Sequence, residues 1–516
     1  MQTSQKIITL VLLLLLASAL AQAQFVTVWQ TDNKGSSNDN QITIPAKGNY
    51  QIVWQEVGNL KNQGKATGKD TTTLTLPKAG KYQVSITGDL QAIRFAHKGD
   101  KLKLISIEQW GDIAWTSMEQ AFAGCANMNC VATDAPNLSQ VKSLKGMFAW
   151  CKKFNGKIGH WDISKVTDMS GMFAYAMSFN QPIGSWDVGN VTNMKSVFSV
   201  ARAFNQPISS WDVSKVTDMS WMFFEARSFN QPIGSWDVGK VTNMTRMFFT
   251  AKSFNQPIGS WDVSKVTDMS WMFSQATSFN QPIGKWKTGK VTRMVFMFAE
   301  ATSFNQSIGK WNVGKVISMS DMFHRAISFN QPLNNWDVSQ VNSMIEVFYK
   351  ADSFNQPLNN WDVAKVTNME KMFAEATSFN QPIGNWNVSN VTNMEEMFAE
   401  ATSFNQPIGS WDVSKVTDMS VMFAWAKSFN QPLDNWNVSR VTNMRAMFLG
   451  AKSFNQPLDN WNVIRVTNMN AMFAGATSFN QPLGKWKVNR VTNMDNMFSG
   501  ATSFKQDLSH WKQLKK

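Results

Sequence analysis

Histidine, cysteine and carboxylate side chains carry most enzyme chemistry, and in this 516-residue sequence their spacing does not group them. Of the four histidines, only His160 and His510 share a position in a repeated unit, and they stand at opposite ends of the repeat. The sequence contains no zinc-binding H-E-x-x-H segment and no glycine-rich phosphate loop. Aspartate recurs after tryptophan, but one carboxylate per repeat without a tuned partner does not make an acid–base pair. The sequence therefore predicts no enzyme activity, no cofactor and no metal site.

Two of the three cysteines, Cys125 and Cys151, occupy the same position of neighbouring repeats, where alanine stands elsewhere. Equivalent residues of stacked repeats lie about 5 Å apart, within reach of a disulfide. An exported protein allows this bond, and two buried free thiols suit the position equally well. Cys130 is left over, and no histidine or further cysteine converges on the pair to bind a metal.

A 25-residue repeat positions all of these side chains. Its tryptophan recurs without insertion or loss from Trp161 to Trp511, and a valine, a methionine and a phenylalanine keep the same step. A fixed period between 20 and 50 residues indicates stacked units that bury their apolar faces against each other. The fold and the function must therefore be sought at the level of the unit.

Apolar spacing within the unit 179–203 predicts a strand followed by a short helix. A short strand is expected near residues 185–189, with two side chains facing inward: Trp186 and Val188. Four later residues fall at i, i+3, i+4 and i+7, the spacing of one buried helix face: Met194, Val197, Phe198 and Ala201.

Two polar columns are predicted to be structural. The asparagine that follows a phenylalanine in each unit, from Asn155 to Asn480, is expected to satisfy backbone groups of neighbouring loops. The threonine column, from Thr167 to Thr492, is interrupted by other residues. It fits a structural ladder better than an ice-binding surface.

The chain divides into four parts that differ in composition and in the spacing of apolar residues. The first combines Lys6, an apolar run and a small-residue site, as in a secretory signal. The second has short alternating runs typical of β-strands and can cap the first repeat. The predicted parts are a signal peptide at 1–23, a β-rich cap domain at 24–100, degenerate initial repeats at 101–153 and the regular repeat at 154–516.

The consensus FNQPIGxWDVSxVTxMxxMFxxAxSF resembles the repeat of the BspA-like leucine-rich-repeat bacterial surface proteins, including their 25-residue class in exported bacterial and mycoplasmal proteins. The segment SIEQWGDIAWTSMEQAFAGCANM and the β-rich region before it resemble that family too. The resemblance implies an α/β solenoid of strand–short helix units with a small all-β cap. It also implies a secreted or cell-surface location and adhesion to matrix or to other cells, without enzyme activity.

A basic column is the first candidate binding surface. The formal charge is +13, and position 190 of the unit is basic in most repeats. Positive charge grows towards the C-terminus, where the aspartate three residues earlier gives way to asparagine or lysine. The column is either a track for acidic glycans or acidic matrix proteins, or a row neutralised by its aspartate neighbours. The candidate residues are Lys415, Arg440, Arg465 and Arg490 of this column, and Lys487, which replaces the aspartate three residues before Arg490.

Aromatic residues at variable positions of the predicted helix form the second candidate surface: Trp221, Trp271 and Trp425. Exposed aromatic side chains are good anchors for partners. They can equally pack over neighbouring turns.

The sequence therefore predicts an exported, non-catalytic, adhesin-like protein that binds extracellular matrix, glycan or another cell. Its expected partner is an extracellular protein or an acidic glycan, with no nucleic acid and no transmembrane segment. A structural or spacer component of the bacterial cell envelope, without a specific ligand, is the alternative.

Overall fold

The computed structural model describes residues 24–511, and these fall into two compact units. The N-terminal unit comprises residues 24–241 and the C-terminal unit residues 242–511. The division falls inside the regular 25-residue repeat. The signal sequence predicted for residues 1–23 lies outside the described residues.

The strands of the described chain all lie in the N-terminal unit. They are β1 (Phe25–Gln30), β2 (Gln41–Ile44), β3 (Ala46–Glu56), β4 (Asn59–Lys69), β5 (Thr72–Thr75), β6 (Lys81–Ile93), β7 (Leu104–Gln109) and β8 (Asn129–Cys130). Six of them form one sheet in the order β4-β3-β6-β1-β7-β8, and β2 pairs with β5. All neighbours are antiparallel except β7 and β8, which are parallel. The sheet therefore extends past residue 100 into the degenerate repeats.

Alternation of side chains builds this sheet. In β3, Tyr50 and Ile52 are buried while the residues between them are exposed, and β6 alternates in the same way around Tyr82 and Val84. β1 is buried along almost its whole length, and its Phe25 ring packs against Trp110 and Trp115 of the degenerate repeats. One face of the sheet thus supplies apolar cover to the first repeats.

The predicted α/β fold class with short helices is wrong. Among residues 24–511 the repeat contains no helix, and residues 185–189 form no strand. No helix forms there because many backbone N–H groups bond to the next 25-residue repeat instead of to the same repeat. In the segment 194–201, the N–H groups of alternate residues donate to carbonyls 24 residues further on, as Ser196 does to Ser220 at 2.9 Å.

The intervening residues of this segment close tight turns, as Ala201 does by donating to the carbonyl of Phe198 at 3.0 Å. We call residues 194–201 and their equivalents in the other units the turn ladder. Tight turns bring residues at i, i+3, i+4 and i+7 to the interior as a helix would, so Met194, Val197 and Phe198 are buried although no helix forms. Half of the backbone N–H groups of the turn ladder therefore form hydrogen bonds between repeats instead of within one repeat.

Single parallel β-bridges, at a position after the predicted strand, connect successive repeats. Each bridge joins the residues just before the turn ladder of two neighbouring repeats, for example Asp168 with Asn193 in the N-terminal unit and Asn368 with Asn393 in the C-terminal unit. Parallel bridging sets equivalent residues of neighbouring units about 4.8 Å apart. Each position of the repeat therefore becomes a column of side chains.

The inward direction predicted for the tryptophan rung is confirmed. Trp186 is 3% exposed and Val188 1%. The Trp186 indole N–H donates to the carbonyl of Ile158 at 3.0 Å, so the buried ring leaves no polar atom unsatisfied. Successive tryptophans stack almost in parallel, with 6.5 Å between the ring centroids of Trp211 and Trp236.

The predicted asparagine and threonine ladders are also confirmed. The Asn180 Oδ1 atom accepts the backbone N–H of Asn205 at 2.9 Å and the Nε2 group of Gln206 at 3.1 Å. The hydroxyl of Thr192 donates to the carbonyl of Thr167 at 3.3 Å. Both ladders hold successive units in register, because each contact spans one repeat.

Candidate binding surface

The turn ladder presents two columns of residues whose backbone is left-handed. The third and the seventh residue of the segment have positive φ, 58° at Ser196 and 59° at Val200. A non-glycine residue in this conformation costs about 1–2 kcal/mol relative to the right-handed form. Such angles are rarer still for a β-branched residue such as Val200 or Thr250.

We call these columns 196 and 200. In the C-terminal unit, column 196 consists of Arg246, Trp271, Phe296, Asp321, Glu346, Lys371, Glu396, Val421, Ala446, Ala471 and Asn496. Column 200 consists of Thr250, Gln275, Glu300, Arg325, Lys350, Glu375, Glu400, Trp425, Gly450, Gly475 and Gly500. Residue types along both columns vary far more than the asparagine, threonine and tryptophan rungs do.

Some column residues contact each other along the stack. The rings of Trp271 and Phe296 stack with their centroids 3.8 Å apart. Tyr349 donates its hydroxyl to Glu375 Oε1 at 2.8 Å, and Lys350 pairs with the other oxygen of that carboxylate at 2.6 Å. These side chains therefore already contact side chains of neighbouring repeats.

Negative charge is concentrated on part of the turn ladder. In five consecutive units, residues 294–401, its positions carry eight carboxylates against three cations, although the whole chain has a charge of +13. The carboxylates belong to Glu300, Asp321, Glu346, Glu370, Glu375, Glu395, Glu396 and Glu400, and the cations to Arg325, Lys350 and Lys371.

The electrostatics confirm that these groups lie close together. Burial, followed by the charges of Asp418, Glu370 and Glu396, raises the pKa of Glu395. Burial works against the charge of Lys371, but the surrounding glutamates outweigh it and raise the pKa of Lys371. The fold thus brings these carboxylates together into an acidic surface, although the net charge of the whole chain is +13.

A groove of about 230 Å³ opens at the C-terminal end of this acidic surface and continues into the two following repeats. Three alanines of neighbouring units are among the residues that line it: Ala374, Ala399 and Ala424. Three glutamates, one arginine and one tryptophan also line it: Glu375, Glu396, Glu400, Arg445 and Trp425, of which Trp425 is 41% exposed. Small apolar residues beside carboxylates and an accessible indole can hold a side chain with an apolar stem and a cationic end.

Asp321, His324 and Glu346 form a cluster that the sequence reasoning missed. His324 Nδ1 lies 2.8 Å from Glu346 Oε2 and 3.7 Å from Asp321 Oδ1. Burial and the charges of Glu346 and Glu370 raise the pKa of Asp321 to about 7. The signal was present in the sequence, because Asp321 and Glu346 are one repeat apart and His324 follows Asp321 by three residues.

The predicted basic residues are all exposed and lie before the turn ladder: Lys415, Arg440, Arg465, Arg490 and Lys487. The ammonium of Lys415 donates to Asn390 Oδ1 of the preceding unit at 2.6 Å. In the N-terminal unit Lys215 reaches Asn190 in the same way, at 2.8 Å. Some lysines of the column are thus held by a side chain of the preceding repeat.

The aspartate beside the basic column closes a turn. Asp412 Oδ1 accepts the backbone N–H of Ser414 at 3.0 Å, and hydrogen bonds from the side chain and backbone of Ser414 lower the pKa of Asp412. Asn437 accepts the N–H of Ser439 in the same way at 3.2 Å. Aspartate and asparagine interchange here because either can cap the turn.

Replacing Lys415 by serine is expected to change the free energy of unfolding by no more than about 0.5 kcal/mol, because its hydrogen bond lies on an exposed surface. Denaturant unfolding of the variant beside the wild type measures this. A loss above about 1 kcal/mol would show that the basic column stabilises the stack.

The three predicted tryptophans lie on the turn ladder instead of on a helix. Trp221 and Trp271 stand in column 196 and are half-buried, whereas Trp425 stands in column 200 and is exposed. The aromatic and the basic candidates therefore occupy different segments of the repeat, and only the aromatic ones share the turn ladder with the acidic surface.

The cysteines are free and buried, so the possible Cys125–Cys151 disulfide is not formed. Burial raises the pKa of Cys125 and of Cys151 well above the usual range. Cys130 lines a cavity of about 450 Å³ together with His160, and burial raises its pKa to about 11. A thiol that stays protonated at neutral pH is a poor nucleophile.

These features define a tandem-repeat protein whose repeats differ mainly along two columns, most of whose members are half-buried. Residues 24–511 contain no helix with the length and apolar character needed to cross a bilayer.

The family described as Mycoplasma protein of unknown function, DUF285, matches the chain at 116–232, 205–303, 281–370, 357–440 and 425–516. The chain belongs to this family, because the matches cover more than half of it. A comparison with curated proteins gave no match. The expected kinship with mycoplasmal repeat proteins is thus confirmed, and the finer BspA-like leucine-rich assignment is not.

Proposed function

We propose that this protein is a secreted or cell-surface binding protein without catalytic activity, an adhesin-like scaffold for extracellular matrix, glycan or another cell. Binding takes place on the turn ladder of the C-terminal unit. The observation that carries the proposal is the presence of large and charged side chains at backbone positions that disfavour them.

The chain itself accepts glycine in these columns. Gly450, Gly475 and Gly500 occupy column 200 with φ between 64° and 71°, where glycine carries no strain. Glu400 occupies the same column at φ 56°, and among residues 24–511 its side chain makes no hydrogen bond and no ion pair. The backbone N–H of Glu400 donates to the carbonyl of Ala424 at 2.7 Å, whereas its side chain contributes nothing to the stack, which favours a role for that side chain in contact with a partner.

The acidic groove favours a partner that presents cationic side chains. Trp425 is 41% exposed while its ring lies against Gly450 of the next repeat, and Glu396 and Glu400 line the same groove. Tryptophan is enriched among the residues that dominate the binding energy of interfaces. The basic column is the weaker candidate, because its members follow one repeating pattern and Lys415 is held by Asn390 of the preceding repeat.

A structural or spacer role in the cell envelope is the second candidate. The stacked tryptophans and the asparagine ladder would serve a spacer equally well, because they hold the units in register whatever the surface presents. A spacer does not need the strained side chains, and it has no saturable ligand.

Binding to an array of matrix proteins and glycans, at low and at near-physiological salt, tests the proposal. Saturable binding that persists at the higher salt supports a specific interface. Binding confined to acidic polymers at low salt would indicate generic attraction to the basic column. No binding to any member of the array would favour the spacer role.

A further inference from the structure

We propose that Asp321, His324 and Glu346 form a binding site for a divalent transition-metal ion such as Zn²⁺. One ligand atom from each residue lies within 4.8 Å of the other two. A set of one imidazole and two carboxylates suits zinc and related first-row divalent ions. The site does not depend on the proposed binding function.

The separations of the ligand atoms are close to those around a bound ion. The distances from His324 Nδ1 are 2.8 Å to Glu346 Oε2 and 3.7 Å to Asp321 Oδ1. Zinc bonds of 2.0–2.1 Å in a tetrahedral arrangement hold their ligands about 3.3 Å apart. Small side-chain rotations therefore suffice to place all three atoms on one ion.

The Asp321 carboxylate is a second and independent sign of a ligand. Asp321 is only 9% exposed, and within residues 24–511 no hydrogen bond reaches its carboxylate. Its Oδ1 atom faces the imidazole of His324. The Asp321 side chain is 12% exposed and pairs with the His324 imidazole at 3.7 Å, beyond hydrogen-bond distance, so a coordinated cation would give this largely buried carboxylate a closer partner.

The backbone holds these residues in place. The N–H of Asp321 donates to the carbonyl of Ile345 at 2.8 Å, which fixes the unit of Asp321 beside that of Glu346. The N–H of His324 donates to the carbonyl of Asp321 at 3.2 Å, closing the turn between two ligands. The ring of Tyr349 lies 4.8 Å from that of His324 and restricts its rotation.

The surrounding charges favour a cation. Glu370 lies close enough to act on the charge of Asp321, and Glu300 acts on His324 in the same way. Arg325 is the one cation that acts on His324 among these neighbours. The three ligands therefore sit in a predominantly negative environment.

Calorimetric titration of the purified full-length protein with Zn²⁺ tests the site. We expect one tight equivalent per chain, and a Co²⁺-loaded sample should show the visible absorption of a low-coordinate site. His324→Ala and Asp321→Asn should each weaken Zn²⁺ binding at least about tenfold and abolish the Co²⁺ bands. His160→Ala, which removes an exposed histidine of the N-terminal unit, is the matched control and should bind as the wild type does.

Asp321→Asn keeps the side-chain size, and asparagine tolerates the left-handed backbone at φ 60°, so this variant should fold even if His324→Ala does not. Far-UV circular dichroism of each metal-free variant checks folding. The proposal is overturned if the wild type shows only weak, multiple sites, or if Asp321→Asn binds Zn²⁺ as tightly as the wild type.

Discussion

Trp336→Ala is expected to lower the free energy of unfolding by about 3–5 kcal/mol. Trp336 is 2% exposed and lies 6.5 Å, centroid to centroid, from both Trp311 and Trp361. Its indole N–H donates to the carbonyl of Ile308 at 3.2 Å. The substitution opens a cavity between two stacked rings and leaves that carbonyl without its donor. Denaturant unfolding monitored by circular dichroism measures the loss.

Trp425→Ala is the matched control, because it removes the same side chain from an exposed position. We expect a loss of about 1 kcal/mol or less, since a surface substitution forms no cavity. Equal losses in the two variants would contradict the burial of the tryptophan rung and the assignment of the turn ladder to the surface.

Asn380→Ala is expected to cost about 1–3 kcal/mol, although it removes far less apolar area. The Asn380 Oδ1 atom accepts two hydrogen bonds from the next unit, from the Asn405 backbone N–H and from Gln406 Nε2, both at 2.9 Å. Alanine leaves both donors without their acceptor. The same unfolding experiment measures the effect.

Asn342→Ala is the control for this change. Asn342 is exposed, and within residues 24–511 its side chain makes no hydrogen bond, so the expected loss is within about 0.5 kcal/mol. If Asn380→Ala is no more harmful than Asn342→Ala, the asparagine ladder does not hold the units together.

The interior of the repeat could be predicted from the sequence because apolar period and burial are directly linked. Trp186 and Val188 face inward as the spacing indicated, and the asparagine and threonine ladders lie where the columns placed them. The two ladders required only that equivalent residues stack. The inward direction of Trp186 and Val188 was inferred from a strand, and it holds without one because the i, i+2 apolar spacing is kept.

The secondary structure was predicted wrongly because spacing alone does not tell a helix from a series of tight turns. Met194, Val197, Phe198 and Ala201 are buried in both cases. The difference lies in the backbone donors, half of which bond to the next unit instead of to residue i−4. A chain that repeats every 25 residues offers a carbonyl of the next unit to each of them.

The left-handed columns could not be predicted from residue types. Tryptophan, valine and glutamate normally avoid positive φ, so Trp271, Val421 and Glu396 give no local sign of it. The glycines at Gly450 and Gly475 were the available signal. The carboxylates of the acidic surface occupy several positions of the turn ladder over five repeats, so no single column of the sequence shows them.

The most direct test of the central claim is the affinity of a triple variant, Glu396→Gly, Glu400→Gly and Trp425→Gly, for the best ligand from the array. Glycine relieves left-handed strain at each site, so the variant should remain folded. We predict at least about tenfold weaker binding by the triple variant and unchanged binding by Lys415→Ser. Unchanged affinity in the triple variant, with a loss in Lys415→Ser, would contradict the assignment of binding to the turn ladder.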